Sequence, residues 1–215
     1  MGQIKKSLGI PNTGSHKIVF RKAEKADMPA ALGLFMASHP RVGEQSLTLS
    51  EPLLRTRLSW LDKNPDLFYV VESGSEIVGF TAIIPLEAKK IEEILNSNEL
   101  AMNIDSDEID EFKPGKPLHL YIATMRTKPD IGMLEKRSYG VRLVGGVISV
   151  LMDMLEKGIN LSSIYAKSEA ADGMRILKHA GFSEFPSVTE SRNYVLNVDE
   201  VSGKTLVKFG RLFRR

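Results

Sequence analysis

The sequence predicts a single α/β domain in which helices cover both faces of a mixed, mostly antiparallel central sheet. Three observations point there. Short β-branched and aromatic runs alternate with segments whose apolar residues recur at helical spacing. Two apolar runs are joined by Ser73-Gly74-Ser75-Glu76, the composition of a hairpin turn. The 215 residues, 42% apolar and 26% charged, are enough to bury one sizeable core.

Lys17 to Lys22 reads as a strand, followed by a helix over Ala26 to Ser38 with Met28, Leu32, Phe35 and Met36 on one side. A second helix is expected to open at Ser50-Glu51-Pro52, an N-cap, an acid and a first-turn proline, and to run to Asn64-Pro65. Leu67 to Glu72 and Ile77 to Pro85 form the hairpin. An acidic insertion over about 86–117 begins with a helix at Ala88 to Leu95. Its Asp105, Asp107, Glu108 and Asp110 have no base among them. Leu118 to Thr127 is the central strand. The strongest helix is expected to start near Ser138, with Val144, Val147, Ile148, Leu151, Met154 and Leu155 on its face, and to stop at Gly158. Ser163 to Lys167 is a buried strand. Gly173 to Ala180 is a short helix with Met174, Leu177 and Ala180 inward, stopped by Gly181. Phe182 to Val188 and Arg192 to Val198 close the sheet. The domain thus spans 17–198, between a flexible basic N-terminus, 1–16, and a basic tail, 199–215.

Composition narrows the chemistry. The absence of cysteine excludes a disulfide framework, a thiolate zinc site and a cysteine nucleophile, and four scattered histidines argue against a metal centre. No run reaches the roughly 18 apolar residues of a membrane span, and the N-terminus lacks the apolar core of a secretory signal, so a cytoplasmic location is expected. Lys6 stands where a myristoylation signal needs Ser or Thr. Net charge is only +2, and aromatics interleave with bases only in the tail, so nucleic-acid binding ranks last.

Function enters at Gly140. A strand ending in Thr127-Lys128-Pro129, a loop, and Arg137-Ser138-Tyr139-Gly140-Val141-Arg142 opening a helix would present backbone N–H groups to an anion. A glycine there admits close approach, and Arg137 and Arg142 suit phosphate oxygens.

From Lys17 to Val198 this order of elements, with R-x-x-G-x-R at a helix start and a short helix ending in Gly181-Phe182, resembles the GNAT acyltransferase superfamily. The resemblance implies acetyl-CoA as co-substrate, with no metal. Its pyrophosphate would lie on the amides of Arg137 to Arg142 and its pantetheine arm along Met125 and Thr127. The acyl group would pass to an amine-bearing substrate. The chain departs from the pattern at Thr127-Lys128-Pro129, where V-x-P is usual, in a longer loop to Arg137, at Arg142, where the family prefers Gly or Ala, and at Leu177, where many members place a tyrosine as general acid.

Alternation along an unbulged strand would put His119, Tyr121, Ala123, Met125 and Thr127 on one face, which makes Tyr121 and His119 the catalytic candidates, with Tyr165 on the neighbouring strand. His179 and His39 read as surface residues. The acidic segment Glu99 to Glu111 is expected to overhang the substrate side, which admits a cationic amine. Two classes remain: an N-acetyltransferase for a primary amine of a small molecule or protein, and a catalytically idle acyl-CoA-binding or partner-binding module. A homodimer is left open.

Overall fold

The computed structural model describes residues 17–37, 46–97, 104–188 and 191–198; the basic N-terminus, the basic tail and His39 lie outside them. Seven strands form one sheet in the order β1-β2-β3-β4-β5-β7-β6: β1 Ile18–Lys22, β2 Phe68–Ser73, β3 Glu76–Leu86, β4 Leu118–Thr127, β5 Leu161–Ser168, β6 Ser183–Phe185 and β7 Arg192–Asn197. Every neighbouring pair is antiparallel except β4 and β5. The β2–β3 turn carries Gly74 at φ 65, which glycine adopts without the Cβ collision other residues meet.

Helices α1 (Met28–Ala37), α2 (Ser46–Lys63) and α3 (Ala88–Asn96) cover one face, burying Met28, Trp60 and Ile91 against Phe68, Phe80 and Ile84. Helices α4 (Met133–Glu156) and α5 (Ala171–His179) cover the other, where Val147, Leu151 and Met154 meet Tyr69, Ile83, Leu120 and Ile164. Removing such apolar area from water, at about 25 cal/mol per Å², is the main force holding both layers. By length and hydropathy α4 is apolar enough to cross a membrane, which the run-length count missed because it holds scattered polar residues. Half of its most apolar window is buried, and packing against the sheet accounts for that apolarity. Gly146 of α4 lies against Phe20 of β1 so closely that a Cβ there would run into the ring.

Three boundaries differ most from the sequence reading. Helix α2 begins at Ser46 rather than Ser50, leaving Pro52 inside it. Ser46 to Ser50 holds neither glycine nor proline, so nothing there prevents an earlier start. Helix α4 begins at Met133, not near Ser138, because Met133-Leu134-Glu135-Lys136 are all good helix formers and turn the supposed loop into a first helical turn. The strand expected over Phe182 to Val188 forms only at Ser183–Phe185.

The acidic segment is compensated by bases from elsewhere in the chain. Glu108 pairs with Lys90 at 2.7 Å, Asp107 with Lys63 at 3.4 Å and Asp110 with Lys116 at 2.6 Å. The N–H of Asp110 donates to Pro85 O, and Pro85 is registered with Leu120, so the segment lies beside the N-terminal part of β4.

Candidate functional site

The pairing of β4 with β5 stops partway. It runs from Leu118 opposite Leu161 to Ile122 opposite Ala166, after which Thr124 to Thr127 pair only with β3, while Lys167 and Ser168 pair only with β7. Two parallel strands that part in this way leave a fork. The edge of β4 facing it keeps its backbone groups available for an extended ligand.

A bulge sits where the strands separate. Ala82 faces Thr124 while Ile83 faces Ile122, so Ala123 is an extra residue in β4. The Thr81 hydroxyl donates to Thr124 O at 2.8 Å and satisfies the displaced carbonyl. An odd insertion reverses alternation. Tyr121 packs with the α1–α2–α3 side, whereas Met125 packs with the α4 side, so Met125 and Thr127 do not share the face of His119 and Tyr121, as unbroken alternation had required. After the bulge, Thr124 and Arg126, registered with Ala82 and Phe80, occupy the Tyr121 face instead.

That face is polar at the fork. Tyr121 is buried beside Tyr165 in register, and burial pushes its phenol up to about 12 despite the opposing charge of Arg57. Arg57, on α2, stacks its guanidinium 3.7 Å above the Trp60 ring, a cation–π contact one helical turn long. Burial presses Arg57 down to about 9, with the Tyr121 phenol acting the other way, and it remains protonated at neutral pH. The buried Thr124 hydroxyl makes no hydrogen bond among the described residues. Burial also lowers Arg126, while the charge of Glu169, just past β5, raises it. Glu169 accepts a 2.8 Å hydrogen bond from Ser191, and Lys167 donates to Leu95 O and Ser97 O at the end of α3, both at 3.2 Å. Sequence reading missed Arg57, Thr124, Arg126 and Glu169. The period-2 rule assigned Thr124 and Arg126 to the other face, and Arg57 lies far from β4 in the chain.

His119 sits at the other end of β4. Its Nδ1 is 2.6 Å from the Ser163 hydroxyl, across the paired part of β4 and β5, about 13 Å of strand before Ala123. Tyr165 packs edge-on against Phe185 at 6.2 Å. The structure therefore brings Tyr121 and Tyr165 together and keeps His119 apart. The exposed His179 has its Nδ1 on Arg175 O at 2.8 Å.

The early start of α4 changes the Gly140 region. Residues Arg137 to Arg142 lie inside the helix, so their N–H groups are committed to its own carbonyls. Lys136 N–H already bonds Gly132 O, which leaves the amides of Met133, Leu134 and Glu135 as the helix's open donors. Tyr139 turns into the core with Val71, Val78 and Leu143. Arg137, Ser138, Val141 and Arg142 point outward, and open space surrounds the Gly140 Cα. Leu177 is half-buried against the α4-side core.

No family model and no curated protein matches the sequence. Solved structures do share its architecture. A GNAT-like decarboxylase, GphF, in complex with isobutyryl-CoA is similar at a TM-score of 0.56 and 13% identity, over 83% of this chain and 98% of that one. The C-terminal condensation domain of Ebony, in complex with β-alanyl-dopamine, gives 0.55 and 11%, over 85% and 100%. An agmatine N-acetyltransferase variant in its apo form gives 0.52 and 14%, over 84% and 99%. Three different reactions ride on one scaffold, so the likeness identifies the scaffold and leaves the reaction to the site. With its mixed seven-stranded sheet, forked β4–β5 pair and helices on both faces, the chain has the GNAT superfamily fold.

Proposed function

We propose that this chain is an acyl-CoA-dependent N-acetyltransferase that moves an acetyl group from acetyl-CoA to a primary amine of a small molecule or protein. The supporting observation is the fork: beyond Ile122 one edge of β4 is open, and an extended amide-bearing arm can join it as an added strand. The remaining groups fit such a co-substrate. Open amides at Met133 to Glu135 and the outward side chains of Arg137 and Arg142 suit a diphosphate, although the amides of Arg137 to Arg142 do not.

Acetyl-CoA supplies an acyl group already activated as a thioester. The protein must hold it, receive a proton from the attacking amine and return one to the departing thiolate. Tyr121 is suited to the last task, because burial keeps its phenol protonated up to about pH 12. It therefore serves as a donor rather than a base and can take the role that Leu177 cannot. His119, the other sequence candidate, is about 13 Å of strand from the bulge and would need to act from a distance.

The test is calorimetry with acetyl-CoA followed by thiol release with a panel of amines. Binding is expected, and Arg137→Ala combined with Arg142→Ala weakens it by roughly tenfold, about one charge-assisted hydrogen bond. No heat with any CoA thioester on folded protein overturns the reading. A second reading, an idle acyl-CoA-binding module, is favoured by Leu177 and by the helical amides of Arg137 to Arg142. It predicts binding without thiol release.

A further inference from the structure

The fork carries opposite charges on its two arms. Arg126 stands near the end of β4, on the same face as Tyr121 and Thr124, and Glu169 follows the end of β5; each arm is reached only after the strands have separated. The two groups lie close enough for Glu169 to act on the ionisation of Arg126. Glu169 is held in place rather than swinging freely, since the buried Ser191 at the start of β7 donates to it at 2.8 Å. Lys167, also within the field of Glu169, spends its ammonium on two carbonyls at the end of α3 and so belongs to the scaffold. Farther in, Arg57 is fixed over Trp60 with Tyr121 in its field, and Thr124 lies between Tyr121 and Arg126 along β4.

A ligand that matches a cation on one arm and a carboxylate on the other carries both charges itself. An amine with no other charge uses only Glu169. A polycation such as a polyamine meets Arg126 as a repulsive group. A guanidinium carries five N–H donors in a planar fork that suits a carboxylate bidentately, so a protein partner at one edge leaves donors for a ligand at another.

We propose that the acceptor is a small zwitterionic amine, an amino acid or close analogue, whose carboxylate is received by Arg126 and whose amine is set beside Glu169. This rests on the acetyltransferase reading above. In the transfer, the ammonium of the acceptor gives one proton to the Glu169 carboxylate. The amine nitrogen then bonds to the acetyl carbonyl carbon of acetyl-CoA and gives up a second proton, the C–S bond breaks with its electron pair going to sulfur, and the thiolate takes up one proton, so that the second proton lost by nitrogen balances the one gained by sulfur. The products are the N-acetyl amino acid and free CoA thiol. An acceptor lacking the carboxylate forgoes the charge-assisted pairing with Arg126 and is selected against on that account.

The experiment measures CoA thiol release with the common L-amino acids, with the carboxamide of each one that reacts, and with agmatine and spermidine. The expected result is turnover of one or more amino acids, with kcat/KM at least tenfold lower for the matching carboxamide. Arg126→Gln should bring that ratio close to one while leaving the KM for acetyl-CoA unchanged. Glu169→Gln, at an exposed position that will not threaten folding, should lower kcat at least tenfold while leaving the KM for acetyl-CoA unchanged. Equal rates for acid and carboxamide, an unaltered ratio in Arg126→Gln, or turnover confined to agmatine and spermidine overturns this assignment while sparing the acetyltransferase. Acetyl-CoA binding with no thiol released by any acceptor, or no binding at all, overturns the transferase reading and this assignment with it.

Discussion

The two halves of β4 have the same local sequence character and opposite fates. From Leu118 to Ile122 the strand is paired on both edges, Leu118, Leu120 and Tyr121 are buried, and His119 is tied to Ser163 on β5. From Ala123 to Thr127 it is paired on one edge, its side chains are only partly covered, and polar groups gather on the Tyr121 face. The lesson is that one inserted residue, at Ala123, divides a structural half from a half available for chemistry. Residue type alone does not separate them, since the histidine lies in the closed half and a threonine and an arginine in the open one.

The largest test of that division is Leu120→Ala. Leu120 is fully buried in the closed half, and its truncation should cost about 2–5 kcal/mol of stability in urea unfolding, with acetyl-CoA affinity retained below the lowered melting point. A near-native stability would mean that the closed half is not the rigid one. Thr124→Val in the open half should do the reverse. Removing a buried hydroxyl that makes no hydrogen bond among the described residues relieves a cost of about 1–3 kcal/mol, so Tm holds or rises while kcat/KM for the acceptor falls several-fold. A lower Tm would show that the hydroxyl does structural service. The smallest effect is expected from His119→Gln, which loses one hydrogen bond worth about 1 kcal/mol and should leave the shape of the pH–rate profile unchanged. Loss of a limb from that profile at unchanged Tm would move chemistry into the closed half.

Much of this architecture was legible in the residues. The run LHLYIATMRT gave β4 its full extent, because a β-branched and aromatic stretch after a Pro-Gly-Lys-Pro turn has few other fates. The hairpin at Gly74 followed from turn chemistry, and the apolar face of α4 from its period. What escaped was set by contacts distant in the chain. Whether Glu108 and Asp107 stand unopposed depends on Lys90 of α3 and Lys63 of α2, which no local window joins to them. The bulge at Ala123 has no compositional mark, because Thr81 on the adjacent strand holds it open. The position of Gly140 inside α4 turned on whether Met133 to Lys136 coil or continue the helix, and good helix formers decided that against the motif.

The missing side chain at Gly146 extends beyond its own neighbourhood. With only hydrogen there, α4 settles directly on the aromatic ring of the edge strand β1, and the helix is thereby seated at a fixed height above the sheet. The outward arginines, Arg137 and Arg142, ride on the same rigid rod, between one and three turns upstream. A bulkier residue at 146 would act as a wedge, tilting the rod and shifting both arginines with it, so one absent carbon helps set where the exposed start of α4 stands over the sheet.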